Sequence, residues 1–232
     1  MRFSASLVPG RLVKRYKRFL ADVHLDGGET VTAHCANSGS MLSLARPGAR
    51  VWLQKSDDPK RKLAWSWKLE EVEGALVCID TGHPNAIVAE AIAGGMIPSL
   101  AGYASLRREV KYGRNSRIDI LLEDESRGRA YVEVKNVTLM REPGLAEFPD
   151  AVTARGAKHL EELADMVAQG HRAVMLYLVN RPDCTRFALA ADIDPTYATG
   201  YETARARGVE FEVWATRVTT DEVVVERRIA VG

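Results

Sequence analysis

The chain has 232 residues, of which 46% are hydrophobic and 27% are charged. This balance predicts packed cores and excludes an intrinsically disordered or collagen-like chain. The formal net charge of +1 excludes a uniformly basic, histone-like binder. The charge is uneven, because residues 1–80 carry thirteen Lys and Arg against nine Asp and Glu. This excess weakly favours contact of the first third with a polyanion.

Cysteine usage and hydropathy bear on the compartment of the protein. Cys35, Cys78 and Cys184 are far apart and form no Cys-x-x-Cys pair, which disfavours a zinc site or a disulfide framework and favours a reducing environment. The sequence has neither a basic-then-apolar leader nor an apolar run that matches a bilayer. We therefore expect a cytoplasmic protein with no membrane partner.

The first third of the chain reads as short strands separated by turns. Asp26-Gly27-Gly28 predicts a hairpin turn, because Asp and Gly favour the backbone angles of tight turns. The expected strands are residues 12–25, 30–35, 49–53, 65–72 and 76–80. Five short strands without a helix favour a small barrel of the OB type, and we place a domain boundary at residue 80.

Basic and aromatic side chains interleave in the first of these strands. Strand alternation puts Lys14, Tyr16 and Arg18 on one face. Charge attraction and base stacking, worth ~1–3 kcal/mol per base, suit such a face to single-stranded nucleic acid. A strand edge protected by Lys and Arg would give the same pattern, and we prefer the binding interpretation.

Residues 81–232 alternate between helices and strands. The predicted helices are residues 86–93, 150–169 and 196–207, with Asn85 and Asp150 as candidate caps of the first two. The predicted strands are a run of three between 107 and 137, a buried strand at 173–179, and two more at 210–216 and 222–229. This order predicts a mixed α/β sheet in a second domain, residues 81–232.

Two strands of that domain, residues 117–122 and 130–137, carry ionisable residues inside apolar segments. A turn centred on Ser126 would pair residue i with residue 252 − i, which sets Asp119 opposite Glu133. Like charges directly opposite each other cost roughly 0.2–1 kcal/mol, so this placement predicts a cation between the two carboxylates. Lys135 projects to the same face as Glu133, because strand side chains alternate.

These three residue types have a common chemistry. Carboxylate oxygens suit Mg²⁺ or Mn²⁺, and an ammonium group beside the ion orients water or stabilises charge on a phosphate. Asp119, Glu133 and Lys135 are therefore candidate catalytic residues of a metal-assisted phosphodiester hydrolase. A hairpin with solvent-facing charges is the alternative, but the apolar flanks of both strands indicate burial.

A third set of candidates lies on the helix predicted at residues 150–169. Arg155 and His159 are four residues apart and share a face, and Arg155 lies near the positive end of the helix. A phosphate could bind there. The alternative is a charged outer face paired with Glu161 and Glu162.

Several segments of the chain resemble the sugar fermentation stimulation protein family. The matching residues are 10–19, 34–41, 117–119, 133–139, 148–153, 155 and 156. The order of elements in the second domain also resembles the PD-(D/E)xK nuclease fold, with Ile118 at the position of the motif's Pro. Together the segments cover nearly the whole chain.

The resemblance implies an OB-like first domain, a nuclease-like second domain and DNA binding without sequence preference. It assigns Asp119 and Glu133 as metal ligands, Lys135 as the catalytic lysine, and Glu90 as the acid that such nucleases place on their first helix. Glu109 is a poorer candidate, since neighbouring basic residues would pair with it. We expect a DNA-binding protein with a Mg²⁺-dependent nuclease site. A non-catalytic DNA-binding regulator of sugar catabolism is the alternative, and a small-molecule sensor ranks lowest.

Overall fold

The computed structural model describes residues 1–113 and 115–231. Its amino-terminal part is one six-stranded sheet in the spatial order β3-β2-β1-β4-β5-β6. A parallel pairing of β3 with β5 closes five of these strands into a barrel, which confirms the predicted OB-like fold. The strands are β1 (Leu7–Tyr16), β2 (Leu20–Leu25), β3 (Thr30–Cys35), β4 (Arg50–Lys55), β5 (Trp65–Val72) and β6 (Ala75–Cys78).

The prediction of one strand over residues 12–25 is wrong. β1 already begins at Leu7, and a tight turn separates it from β2. Lys17 and Arg18 form this turn with φ angles of 49° and 63°. Such left-handed angles are usually adopted by Gly or Asn, so the sequence carries no turn signal at this point.

The carboxyl-terminal part is a mixed α/β structure, as predicted. Its main sheet has the order β15-β14-β12-β9-β8-β7, and a small sheet has the order β10-β11-β13-β16. The helices are α1 (Pro84–Ala93), α2 (Ala154–Ala168) and α3 (Pro195–Ala206). The strands are β7 (Ser105–Tyr112), β8 (Ser116–Asp124), β9 (Gly128–Val137), β10 (Leu139–Glu142), β11 (Leu145–Phe148), β12 (Arg172–Val179), β13 (Arg186–Leu189), β14 (Glu210–Val218), β15 (Val223–Arg228) and β16 (Ala230–Val231).

The main sheet separates two apolar cores. Alternate residues of β9 contribute to opposite sides, because strand side chains alternate. Val132 and Val134 pack in the core with α1, whereas Tyr131 and Val137 pack in the core with α2 and α3. Glu133 has the same parity as Tyr131, so it points towards α2.

The helix starts differ from the predicted caps. Thr153 caps α2, where its side chain accepts a hydrogen bond from Gly156 N at 2.9 Å. Asp150 lies before this turn and instead accepts a bond from Met41 N of the barrel at 3.1 Å. Asn85 lies inside α1, whose cap residue is His83. Both predicted caps are therefore wrong, because the two side chains form hydrogen bonds with other elements instead.

In the part of the chain that is described, no helix is long and apolar enough to cross a membrane.

Candidate active site

The pairing of β8 with β9 follows the predicted register. Ile120 pairs with Val132 and Asp124 with Gly128, and the numbers of each pair add to 252 as expected. Asp119 lies just beyond the last of these pairs. Its Oδ2 atom accepts a hydrogen bond from the backbone N–H of Val134 at 2.7 Å. The Asp119 carboxylate is therefore held on the backbone of β9, at the residue next to Glu133.

Glu133, Lys135 and His159 form one contact group between β9 and α2. Lys135 Nζ donates to Glu133 Oε1 at 2.7 Å, and His159 Nδ1 contacts the same oxygen. Lys135 Nζ also lies 3.1 Å from His159 Nδ1. Glu133 is only 3% exposed, and its second oxygen, Oε2, is buried with no hydrogen-bond partner among the described residues.

Asp119 has two neighbours that the sequence did not indicate. Asn85 of α1 donates from Nδ2 to Asp119 Oδ1 at 2.7 Å and to Glu109 Oε1 at 2.9 Å. Glu109 lies in β7 between the pairs that Arg108 and Val110 make with Ile120 and Ile118 of β8, so the unbroken register sets it opposite Asp119, and it has a φ of 55°. The sequence assigns Asn85 as a helix cap and pairs Glu109 with neighbouring basic residues, so it places neither side chain beside Asp119.

Glu90 lies apart from this group. Its side chain is 66% exposed, and its carboxylate contacts the amino group of Met1 at 2.6 Å. On the same helix it is Asn85, not Glu90, that contacts Asp119. The arrangement lends no support to Glu90 as a ligand, and that assignment stays a prediction.

The two central carboxylates have different electrostatic environments. Burial, and secondly the negative charge of Glu133, raise the pKa of Asp119 to about 6. Burial also acts to raise the pKa of Glu133, but the hydrogen bond of His159 and the charge of Lys135 outweigh it and hold that pKa below its ordinary value. At neutral pH both carboxylates are ionised, and their negative charges repel each other.

The donor set fits a divalent cation. An ion between the carboxylates would relieve their repulsion and supply a partner to Glu133 Oε2. Within residues 1–113 and 115–231, no group of three or more His, Cys, Asp and Glu side chains has a metal-binding arrangement. Two carboxylates are nevertheless enough for Mg²⁺, which usually keeps waters and phosphate oxygens as its other ligands.

The predicted nucleic-acid contacts fall into two places. Arg155 is exposed on the first turn of α2 and donates from Nε to His159 Nε2 at 3.4 Å, so this pair adjoins the carboxylates. On the barrel, Lys14 Nζ lies 3.6 Å from Asp22 Oδ2, and Tyr16 donates to Asp22 Oδ1 at 3.1 Å. Arg18 lies in the turn after β1, so the strand alternation that grouped it with Lys14 and Tyr16 does not reach it.

Comparisons with known proteins match this chain to one family over nearly its full length. The family model described as SfsA N-terminal OB domain matches residues 13–79, and the model described as Sugar fermentation stimulation protein RE domain matches residues 82–222. A sugar fermentation stimulation protein homolog of Rhodospirillum centenum is 62% identical over 229 residues, covering 99% of this chain and 98% of that protein. The homolog of Rhodospirillum rubrum is 64% identical, with 90% of each protein covered.

A solved structure gives the same result for the fold. Pyrococcus furiosus SfsA in complex with Ca²⁺ matches with a TM-score of 0.89 at 25% sequence identity. The match covers 100% of this chain and 98% of that one. The barrel and the mixed sheet thus recur together, in the same arrangement, in a distant relative.

Proposed function

Because the chain belongs to the sugar fermentation stimulation protein family, we propose that it binds DNA without sequence preference and carries a Mg²⁺- or Mn²⁺-dependent phosphodiesterase site of the PD-(D/E)xK type. The observation that carries this proposal is the environment of the Glu133 Oε2 atom. It is a buried carboxylate oxygen without a hydrogen-bond partner in the described part of the chain, next to a second carboxylate whose pKa is raised. We also propose that residues 1–80 and 81–232 are separate domains.

Each residue of the site has a distinct role in this proposal. Asp119 and Glu133 would hold the ion, which would supply a water of lowered pKa and neutralise charge on the phosphate. Lys135 provides a fixed positive charge beside the phosphate, where negative charge grows in the transition state. His159 contacts both Glu133 and Lys135 and holds them in position. Arg155, exposed beside His159, contacts a phosphate oxygen of the substrate.

The presence of Ca²⁺ in the relative from Pyrococcus furiosus supports the binding of a hard cation by this fold. Ca²⁺ and Mg²⁺ both prefer oxygen ligands, although they differ in size and rigidity of coordination. The alternative function is that of a DNA-binding regulator without catalysis. The 2.7 Å hydrogen bond between Lys135 and Glu133 favours it, because an ammonium group held by a carboxylate is less available to a phosphate.

A cleavage assay tests the proposal. Protein freed of metal with EDTA is mixed with a fluorescent oligonucleotide, and Mg²⁺ or Mn²⁺ is then added. We expect cleavage that requires the metal and is lost in Glu133→Gln. Glu202→Gln is the matched control, because Glu202 is an exposed acid on α3. Equal cleavage by Glu133→Gln and the wild type would refute the site, whereas metal-independent binding without turnover would favour the regulator.

A further inference from the structure

A groove lies between the tip of the β1–β2 hairpin and the segment that leads into α2. Its volume is about 570 Å³. The barrel contributes Arg15, Arg18 and residues 38–40, and the other wall is formed by residues 148–153. The roles proposed above for the site leave this groove without a function.

The two walls of the groove are fastened to each other. Arg15 Nη2 donates to the carbonyls of Asn37 and Gly39 at 2.9 and 3.0 Å, which fixes the loop after β3. Ser40 Oγ donates to the carbonyl of Asp150 at 2.7 Å. A Cβ atom on Gly39 would lie 2.9 Å from Asp150 Oδ2, so the two walls approach closely at this point. The groove is thus preformed, as ligand sites usually are.

The lining of the groove combines positive charge with apolar surface. Arg15 and Arg18 supply two guanidinium groups against the one carboxylate of Asp150, whose Oδ2 atom accepts a hydrogen bond from Met41 N. Val152 on the opposite wall is 75% exposed. These are the features of a site for a phosphate backbone with a base beside it.

An exposed aromatic pair extends this surface next to Arg18. Phe19 is 46% exposed, and its ring stacks on His34 at 6.4 Å between centroids and 15° between planes. An exposed aromatic face can stack with a base that is unstacked from its neighbours, a condition that single strands meet and duplexes do not. The hairpin tip therefore favours an unpaired strand.

The groove leads towards the Asp119–Glu133 site. Thr153 lines the groove and caps α2, and His159 beside Glu133 lies six residues further along that helix. At 1.5 Å per residue, the separation along the helix axis is about 9 Å. Arg155 lies on the same helix between the two places. A short stretch of strand would therefore span from the groove to the carboxylates.

We propose that this groove binds an unpaired nucleic-acid strand and directs it to the Asp119–Glu133 site, so that the substrate is a single strand or the unpaired part of a junction. The inference rests on the proposed function, whose polymer and site it specifies further. It assigns the contacts to Arg18, Phe19 and Val152, whereas Lys14 and Tyr16 remain engaged with Asp22.

Binding measured in EDTA tests the groove without requiring catalysis. The probes are fluorescent single-stranded and duplex oligonucleotides of one sequence, as DNA and as RNA, followed by anisotropy at several salt concentrations. We expect the wild type to prefer the single strand. Arg18→Glu should weaken single-strand binding about tenfold and lower the slope of log affinity against log salt by about 0.7, the value for one phosphate contact. Phe19→Ala should weaken it by about 5- to 150-fold.

Matched variants decide whether the effect belongs to the groove. Lys62→Glu makes the same charge reversal on another exposed loop of the barrel, and Val152→Asp adds charge at an exposed position in the groove wall. We expect Val152→Asp to weaken single-strand binding and Lys62→Glu to leave it within about twofold. Equal affinity for single strand and duplex, or equal losses from Arg18→Glu and Lys62→Glu, would overturn the proposal. If the protein bound single strands but showed no metal-dependent cleavage, the proposed role of the groove would hold and only the proposed nuclease activity would be refuted. If it bound neither probe, both proposals would be refuted.

Discussion

Replacing Asp119 by Asn should stabilise the protein in the absence of metal. A pKa of about 6 in place of the ordinary 3.8 means that ionised Asp119 lowers the free energy of unfolding by about 3 kcal/mol. The amide carries no charge, so this cost disappears. It has only one oxygen, however, and if that oxygen keeps the bond to Asn85, the N–H of Val134 loses its acceptor at a cost of about 1 kcal/mol. The expected net gain at pH 8 is about 2 kcal/mol.

The sign of the pH dependence follows from the raised pKa. Between pH 3.8 and 6 the folded protein binds more protons at Asp119 than the unfolded chain does, so stability falls as the pH rises through this window. Above pH 6 the full cost is present. At pH 5 about half of it is already gone from the wild type, so the advantage of Asp119→Asn should shrink by about 1.4 kcal/mol between pH 8 and pH 5.

Urea unfolding followed by tryptophan fluorescence in EDTA measures this difference. Asp165→Asn serves as a control, because the carboxylate of Asp165 is 42% exposed and pairs with Arg207 at the surface, where such pairs contribute about 0–1 kcal/mol. Added Mg²⁺ or Mn²⁺ should reverse the order of stability, since an ion at a hundred times its Kd stabilises the wild type by about 2.7 kcal/mol. A variant that is less stable at pH 8, or a difference that does not change with pH, would refute the reasoning.

Two further predictions concern the helices beside the site. Thr153→Ala should lower the free energy of unfolding by about 1 kcal/mol, because it removes the side-chain oxygen that accepts a hydrogen bond from Gly156 N at the start of α2. Thermal unfolding measures this loss, with Thr199→Ala on α3 as the control. Equal small losses in the two variants would contradict the cap assignment. Glu90→Gln should leave the midpoint of a metal titration unchanged, because the Glu90 carboxylate is bound to the amino group of Met1. If Glu90→Gln raised this midpoint as much as Glu133→Gln does, Glu90 would be restored as a ligand.

The parts of the site that depend on local chemistry could be predicted from the sequence. The register of β8 and β9 follows from its turn, where Asp124 Oδ1 accepts from the backbone N–H groups of Ser126 and Arg127 and Gly128 has a φ of 72°. Turn residues with these preferences are readable from sequence. Alternation then placed Glu133 and Lys135 on one face, and the contact between the two side chains bears this out.

The parts that depend on long-range packing or on unusual backbone angles could not be predicted. Lys17 and Arg18 form a left-handed turn without Gly or Asn, and Glu109 has a left-handed φ inside β7, so neither position carries a local signal. Asn85 approaches Asp119 only because α1 packs on the sheet, and its sequence position alone is that of a helix cap. Residues that break local rules are expected to concentrate at functional sites, and Glu109 lies next to this one.

The composition of the site alone would not distinguish it from a structural ion pair. A second buried group of the same residue types lies between the barrel and α1, where Lys68 Nζ lies 2.5 Å and His83 Nε2 3.2 Å from Asp80 Oδ2. Burial acts to raise the pKa of Asp80, but hydrogen bonding by His83 and the charge of Lys68 hold it well below its usual range. The other oxygen, Oδ1, accepts from Gly82 N at 2.8 Å, so the whole carboxylate is satisfied.

The carboxylate of Glu133 differs in two respects that matter for binding. Its Oε2 atom is buried and lacks a hydrogen-bond partner in residues 1–113 and 115–231, and Asp119 brings a second negative charge next to it. A buried group left in this state costs free energy, whereas both oxygens of the Asp80 carboxylate already have partners. A divalent ion should therefore bind at Glu133 and leave Asp80 undisturbed. Perturbation of NMR signals by Mn²⁺ tests this, since broadening centred on residues around Asp80 instead of Asp119 would contradict the assignment.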